Sequence, residues 1–429
     1  MRVTNTMMQK NLIHTINERL ENMTRLNDQI NSTKKISRPS DDPIIATRIL
    51  KFRTTLSEIE QYKSNGEAAK NWVSMTEGAM EKTREVFEEM NKKSIQASND
   101  VLNFANRHSI ASEFKELQEQ IATQANASYA GRYIFSGYKT DRSVMFEENY
   151  SANPPYKINE KLSAKSVTKI EKAFGNTKNE VYRIRLAYSN IDNATFQPAL
   201  PGGAPTVALS TDAGAYDTAG GAKFLKDTGE LILPKNIADN LGEYTITYEK
   251  TEFKKGDIRP ELYFDVTTPD GTVFKMKEEN IDYQISYNQR FTVNLRAHDV
   301  FRLEMRREIE EIIRETELLA KPDNELTEDD KISLKLLGQR YRDFAGKMQK
   351  HSDGLSNQIA LIGAKESRLL LTINRLDDDK LNFKSLLSET EDTNIPEAII
   401  NLKNVENAYS MSLAAGAKVI QPTLLDFLR

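Results

Sequence analysis

The sequence predicts a mainly α chain with an inserted β-rich domain, its N- and C-terminal helices forming a long antiparallel coiled-coil rod. Three observations carry this. The 429 residues hold only 19 Gly and 13 Pro, about 7.5% together against a usual share of roughly 12%. Ten of those Gly, eight of those Pro and ten of the 16 Tyr fall in residues 141–300. On both sides of that stretch, apolar residues recur with the alternating three- and four-residue spacing of heptads.

Residues 1–42 read as an N-terminal arm helix and turn. Ile13, Ile16, Leu20, Met23, Asn27 and Ile30 make an a/d seam with one polar interruption. The turn Arg38-Pro39-Ser40-Asp41-Asp42-Pro43 ends the arm. Asp42 suits an N-cap, and Pro43 suits the first helical position, where a missing N–H costs nothing. Lys34, Lys35 and Arg38 beside Asp41 and Asp42 read as a locally paired turn.

Residues 43–140 form the N-terminal half of the rod. A helix from about 43 to 105 would be roughly 90 Å long. Its seam runs Ala69, Val73, Thr76, Met80, Thr83, Phe87, Met90, Ser94, Ala97, Val101 and Phe104, with Trp72 beside it as a core or subunit contact. A break is expected near 106–109, after which Ile110, Phe114, Leu117 and Ile121 continue a helical face.

The domain at 141–300 alternates with period two, the mark of half-buried antiparallel strands. Tyr182, Ile184, Leu186 and Tyr188 form one run, and Tyr244, Ile246 and Tyr248 another. Leu262, Phe264 and Val266 lead into the turn Thr268-Pro269-Asp270-Gly271-Thr272. Ile281, Tyr283, Ile285 and Tyr287 return through Phe291, Val293 and Leu295 after a turn at Asn288-Gln289-Arg290. A mobile loop is expected at 198–221.

Residues 301–392 are the C-terminal half of the rod, with the seam Ile359, Ile362, Glu366, Leu369, Ile373, Leu376, Lys380, Phe383, Leu387 and Thr390. The C-terminal arm helix at 393–429 restarts at Asp392-Thr393-Asn394-Ile395-Pro396, and Ile395, Ala398, Leu402, Val405, Tyr409 and Ser412 continue its seam. The seams at 69–104 and 359–390 are read as intramolecular core. Those at the chain ends are read as assembly surfaces, because a two-helix arm buries little unless neighbours cover it.

No enzymatic constellation is found, and no cofactor is called for. The chain has 59 Lys plus Arg against 63 Asp plus Glu, a net charge of −4, and no Cys. A nucleic-acid partner would call for a one-signed basic field. His14, His108, His298 and His351 lack ligand spacing, so no metal is expected. Asp377-Asp378-Asp379 reads as a solvated helix face. Gly220-Gly221-Ala222-Lys223 lacks the spacing of a phosphate loop. No apolar run reaches the length of a membrane span, and the N-terminal residues carry no apolar core of a Sec signal, so neither is expected.

Three motifs together resemble the flagellin superfamily and, within it, the hook-associated proteins of the hook–filament junction. They are the opening Met1-Arg2-Val3-Thr4-Asn5, the turn Arg38-Pro39-Ser40-Asp41-Asp42-Pro43, and Asn126-Ala127-Ser128-Tyr129-Ala130-Gly131-Arg132-Tyr133-Ile134-Phe135-Ser136-Gly137. In the last, Gly131, Tyr133, Phe135 and Gly137 carry the pattern; Asn374-Arg375-Leu376 and Leu424-Leu425-Asp426-Phe427-Leu428 fit it near the other end. The resemblance covers about 1–140 and 300–429. One departure is Lys34-Lys35, where the family usually has a Gly for a tight positive-φ turn.

The resemblance implies a flagellin-like fold and a structural protein of the extracellular bacterial flagellum. It implies export by the flagellar type III apparatus with an export chaperone and no cleaved Sec signal. The implied partners are copies of the chain in a ring within a helical lattice, a neighbouring hook-associated protein and flagellin. The long helices near 43–136 and 300–390 would form an outer bundle. Segments near 1–35 and 395–429 would form an inner arm that folds on assembly, packing through Ile13, Ile16, Leu20, Met23, Leu402, Val405 and Tyr409. Leu424, Leu425, Phe427 and Leu428 would lie at the tube's inner end. Two alternatives are flagellin itself and a helical-stalk fibre protein whose β domain binds a surface ligand.

Overall fold

A computed structural model describes residues 5–99, 103–200, 203–212, 214–276 and 279–420 of the chain. Helices α1 (Asn5–Ser32), α2 (Pro43–Asn99) and α3 (Phe104–Ala125) come first. The hairpin β1 (Ser128–Tyr129) and β2 (Arg132–Tyr133) leads to β3 (Tyr150–Leu162), β4 (Thr168–Phe174), β5 (Thr177–Arg185), β6 (Ala194–Gln197), β7 (Thr206–Ala208), β8 (Lys223–Leu225) and β9 (Glu230–Leu233). A short helix α4 (Lys235–Ala238) precedes β10 (Tyr244–Phe253), β11 (Asp265–Thr267), β12 (Val273–Phe274), β13 (Asp282–Ser286) and β14 (Gln289–Thr292). Helices α5 (Ala297–Val300), α6 (Leu303–Leu318), α7 (Glu328–Glu391) and α8 (Ile395–Ile420) follow. Long N- and C-terminal helices thus flank an inserted β-rich region, the fold class expected from the sequence.

The chain divides into two compact units. One comprises Met1–Gly66, Ile285–Tyr287 and Leu371–Arg429; the other comprises Glu67–Gln284 and Asn288–Leu370. In the first, α1 packs along α8. The pairing is antiparallel: Lys34 bridges to Asp392 near one end, and Gly416 meets Leu12 near the other. The Phe52 and Phe383 rings meet edge to face at 6.2 Å, and Lys63 Nζ lies 2.6 Å from Asp377 Oδ1. A Cβ on Gly66 would lie 3.1 Å from Ile373 Cγ1, so α2 and α7 come together closely there.

In the second unit the α2 seam is fully buried from Ala69 through Val73, Thr76, Met80, Thr83, Phe87, Met90 and Ser94 to Ala97. Its polar members are satisfied without a partner helix. Thr76, Thr83 and Ser94 donate their hydroxyls to Trp72 O, Ala79 O and Met90 O, one turn back. Asn91 Nδ2 donates to Ala345 O at 2.7 Å on α7. Glu366, one of the two charged seam positions, faces Glu77; burial and then that carboxyl contact raise Glu77 above its ordinary range.

The β region of this unit is built on two five-stranded sheets, ordered β12-β11-β3-β10-β6 and β4-β5-β9-β8-β7. Pairing is antiparallel except between β7 and β8. One apolar cluster draws on both sheets and includes Ile158, Ile184, Leu231, Ile246 and Tyr248. A smaller cluster of Val181, Ala215, Leu225 and Ile232 covers the other face of the second sheet. That sheet is therefore covered on both faces.

Several expected boundaries move. Helix α2 is described as far as Asn99, and α3 already begins at Phe104, capped by Asn103, whose Oδ1 accepts the Asn106 N–H at 2.9 Å. The break therefore precedes 106–109. Helix also stops at Ala125 rather than continuing toward 136. Asn126 caps it and uses its side-chain amide on the Met145 backbone, while Ala130 and Gly131 take φ of 50° and 77° to form the β1–β2 turn. Leu262 lies in a 3₁₀ turn, Pro260–Leu262, and not in a strand. The stretch at 198–221 holds β7 and a turn closed by Asp212, whose carboxylate accepts the Leu209 N–H. Among the described residues, no helix is long and apolar enough to cross a membrane.

Candidate assembly surface

The α1–α8 pair is covered on one side and open on the other. On α1 the half-buried positions include Leu12, Ile16, Arg19, Met23, Leu26 and Ile30, again spaced four and three apart. The expected seam shares Ile16, Met23 and Ile30 with this one, but Ile13, Leu20 and Asn27 are replaced by their preceding neighbours. The cause is local: Gly416 lets Leu12 close on α8, and Leu26 is a better apolar contact than Asn27. Ile13 is left 55% exposed and Leu20 42%. On α8, Ala398 is buried, and Leu402, Val405, Tyr409 and Ser412 are half-buried. Ile399, Ile400, Met411 and Leu413 are exposed. Leu424, Leu425, Phe427 and Leu428 lie outside the described residues.

The two connections that launch these helices are tied together. Thr393 N–H donates to Thr33 O at 2.9 Å, and Lys35 N–H to Glu391 O at 2.7 Å, on either side of the Lys34–Asp392 bridge. Positive φ, 61°, falls on Thr33, so the turn expected of a glycine is made one residue earlier by a β-branched side chain. Lys34 Nζ meets the Glu391 carboxylate, which also holds Arg53 at 2.5 Å through Nη2 and 3.2 Å through Nε. Lys35 Nζ donates to Glu389 O at 2.6 Å. These lysines therefore pair with a distant segment and not with Asp41 and Asp42. Burial alone would raise the Glu391 carboxyl; the Arg53 and Lys34 contacts outweigh it and hold it below its usual range.

Within the Arg38–Pro43 turn, the acids serve the backbone. Asp41 Oδ2 accepts the Ser37 and Arg38 N–H groups, and Asp42 Oδ1 accepts those of Ile44 and Ile45 at 3.0 Å, capping α2 ahead of Pro43. Pro39 and Ser40 are exposed. In the second unit, the Asn126–Gly137 motif is a compact hairpin. Tyr133 OH donates to Glu147 at 3.0 Å, Phe135 is fully buried edge to face with Phe301 at 5.1 Å, and Gly137 has φ 67°.

Sequence reasoning found no convergent polar groups, yet the second unit contains a buried set. Arg183 and Arg185 occupy alternate positions of β5 and face α6. Arg183 lies 2.5 Å from Glu230 Oε1 and 2.8 Å from Glu311 Oε2, which also takes Arg185 at 2.9 Å. Glu315 of α6 holds Lys172 at 2.6 Å and also meets Arg340. Burial followed by Arg340 brings the Lys172 ammonium down to about 7. Burial opposes the charge on Glu311, but Arg183 and Arg185 hold it well below the usual range. Each of these charges has a partner of opposite sign, so the cluster is a structural brace. The available signal was the Arg-x-Arg in β5 opposite the Glu-rich 308–315 stretch. Among the described residues, no group of three His, Asp or Glu side chains is placed to hold a metal.

The family described as bacterial flagellin N-terminal helical region matches residues 3–140. This segment is similar to flagellin N-terminal helical regions, in line with the resemblance read from residues 38–43 and 126–137. Flagellar hook-associated protein 3 of Escherichia coli K12 is 31% identical over 146 residues, 34% of this chain and 46% of that protein. A flagellin of Clostridium tyrobutyricum is 24% identical over 223 residues, 50% of this chain and 58% of the relative. The chain thus spans about half the length of the curated relatives it matches. A solved structure of a putative flagellar hook-associated protein from Vibrio parahaemolyticus aligns over 82% of this chain and 100% of its own, with 13% identity and a TM-score of 0.43.

Proposed function

We propose that this chain is a structural subunit of the bacterial flagellum, forming the junction between hook and filament by coupled folding and assembly of its terminal helices. The observation that carries the reading is the flagellin N-terminal match over residues 3–140, and the likeness to hook-associated protein 3 supports the junction over the filament. The α1–α8 pair adds a physical reason. Its half-buried seam offsets little ordering entropy, and Ile13, Leu20, Ile399, Ile400, Met411 and Leu413 remain open for neighbours.

In this reading segments 1–42 and 393–429 are the assembling arms, 43–140 and 301–392 the helical bundle, and 141–300 the surface domain. Ile16, Met23, Leu402, Val405 and Tyr409 hold the pair together while Ile13 and Leu20 meet copies of the chain in the ring. A neighbouring hook-associated protein and flagellin bound that ring on either side. The chain reaches the cell exterior through the type III export apparatus, delivered by its chaperone.

Deleting the chain's gene tests the reading: cells should keep hooks and lose filaments, and cells that still grow filaments would overturn it. The half-chain likeness to a flagellin sustains a second reading as filament subunit. Purified chains that polymerise alone into long filaments would favour that second reading.

A further inference from the structure

We infer that Glu391 is a positioning residue that clamps the two inter-helix connections of the terminal pair, so that α1 and α8 order and release as one body. The consequence for assembly rests on the flagellar reading above; the clamp itself does not.

Glu391 is the last residue of α7 and is only 5% exposed. Two segments distant in sequence converge on it. Its carboxylate takes Lys34 from the connection after α1 and Arg53 from α2, and its carbonyl takes the Lys35 N–H. The Thr393 N–H returns the backbone pairing to Thr33 O. Gln29 Nε2 of α1 donates to Lys35 O at 2.7 Å, which extends the tie into the helix itself. Thr33 is held at φ 61°, a conformation a β-branched residue keeps only when its surroundings impose it.

Releasing α1 alone would break the two backbone bonds and strip Lys34 from a nearly buried carboxylate. Releasing α8 alone breaks one of those backbone bonds and displaces the chain that carries Glu391. Both motions break the Thr393–Thr33 backbone bond and disturb the Glu391 contacts, so each helix stabilises the placement of the other. Charge is essential to this argument. A neutral side chain of equal size would keep the packing but leave Lys34 and Arg53 against an uncharged acceptor.

Millisecond amide-exchange labelling of the full-length, unassembled chain tests the clamp with Glu391→Gln and Glu391→Asp. In the Gln variant, α1 and α8 should lose protection together, by about tenfold. That is the low end for charge-assisted hydrogen bonds, because Lys34 and Arg53 are about half exposed. The Asp variant should recover part of that protection, and segment 67–99 should be unchanged in both. A change confined to α8, no change at all, or wild-type arms exchanging at the rates of unstructured peptide would each overturn the clamp. None of those results bears on the gene deletion, and a filament-bearing deletion strain would leave the exchange result standing.

Discussion

Along the α1–α8 pair the contact is made by half-buried side chains, with Arg19 and Ser412 in the seam and Ile13, Leu20, Ile399 and Met411 turned to solvent. Across α6 the arrangement is reversed. Met305, Ile309, Ile312 and Ile313 are buried, and the charges of Glu311 and Glu315 are themselves covered and paired with β4, β5 and α7 residues. The α6 region completes its contacts within its own unit. The terminal pair leaves apolar surface open among the described residues. Substitutions should therefore read as stability in the second unit and as assembly in the arms.

The largest effect is expected at Gly229. It has φ 62°, and a Cβ there would lie 1.9 Å from Tyr188 O. Gly229→Ala should cost about 4 kcal/mol or more, read by urea unfolding through the fluorescence of Trp72, the sole tryptophan and a member of the same unit. Glu311→Ala leaves Arg183 and Arg185 short of a partner in a buried site and should cost about 3 kcal/mol by the same assay. A loss below about 1 kcal/mol at either position would remove the contrast between the two regions.

Next comes a pH effect. Glu160 accepts the Ala187 N–H and the Tyr248 hydroxyl, yet burial raises it from 4.5 to about 7. The fold therefore favours its neutral form. Its contribution is whole below pH 4.5 and is lost as pH rises through 7. Glu160→Gln should match the pH dependence of the wild type poorly, gaining about 3 kcal/mol relative to it between pH 4.5 and pH 8.5. An unchanged difference across that range would contradict the buried, neutral assignment.

In the arms the stability effects shrink. Leu402→Ala at the half-buried seam should cost about 1 kcal/mol, less than a fully buried leucine would. The paired change Ile13→Ser and Ile399→Ser should alter the free chain by no more than about 0.5 kcal/mol. It should nevertheless reduce incorporation into flagella, scored by filament counts. Normal incorporation would show that these residues face no neighbour.

Heptad spacing located α2, α7 and α8 because a long helix covered on one face must repeat every three and four residues. The same rule misjudged α1, where Leu12 and Ile13 are adjacent apolar residues and spacing alone cannot say which meets the partner. The β region was legible as strands, but the burial of Arg183 and Arg185 was not. Alternation reveals one covered face and is silent about a second covered by a helix far along the chain. The Thr33 turn was hidden for a related reason: its hold comes from residues 391–393, more than 350 positions away. The Asp42 cap and Pro43 start were visible because that chemistry is local.

The central claim is that the terminal pair gains its stability from neighbours. Amide exchange of the full-length chain, compared between a verified monomer and isolated hook–filament junctions, tests it most directly. The account expects α1 and α8 to exchange far faster than the buried α2 seam from Ala69 to Ala97 in the monomer, and to approach that seam's protection in the junction. Arms as protected as the α2 seam in the monomer, or still fast in the junction, would contradict it.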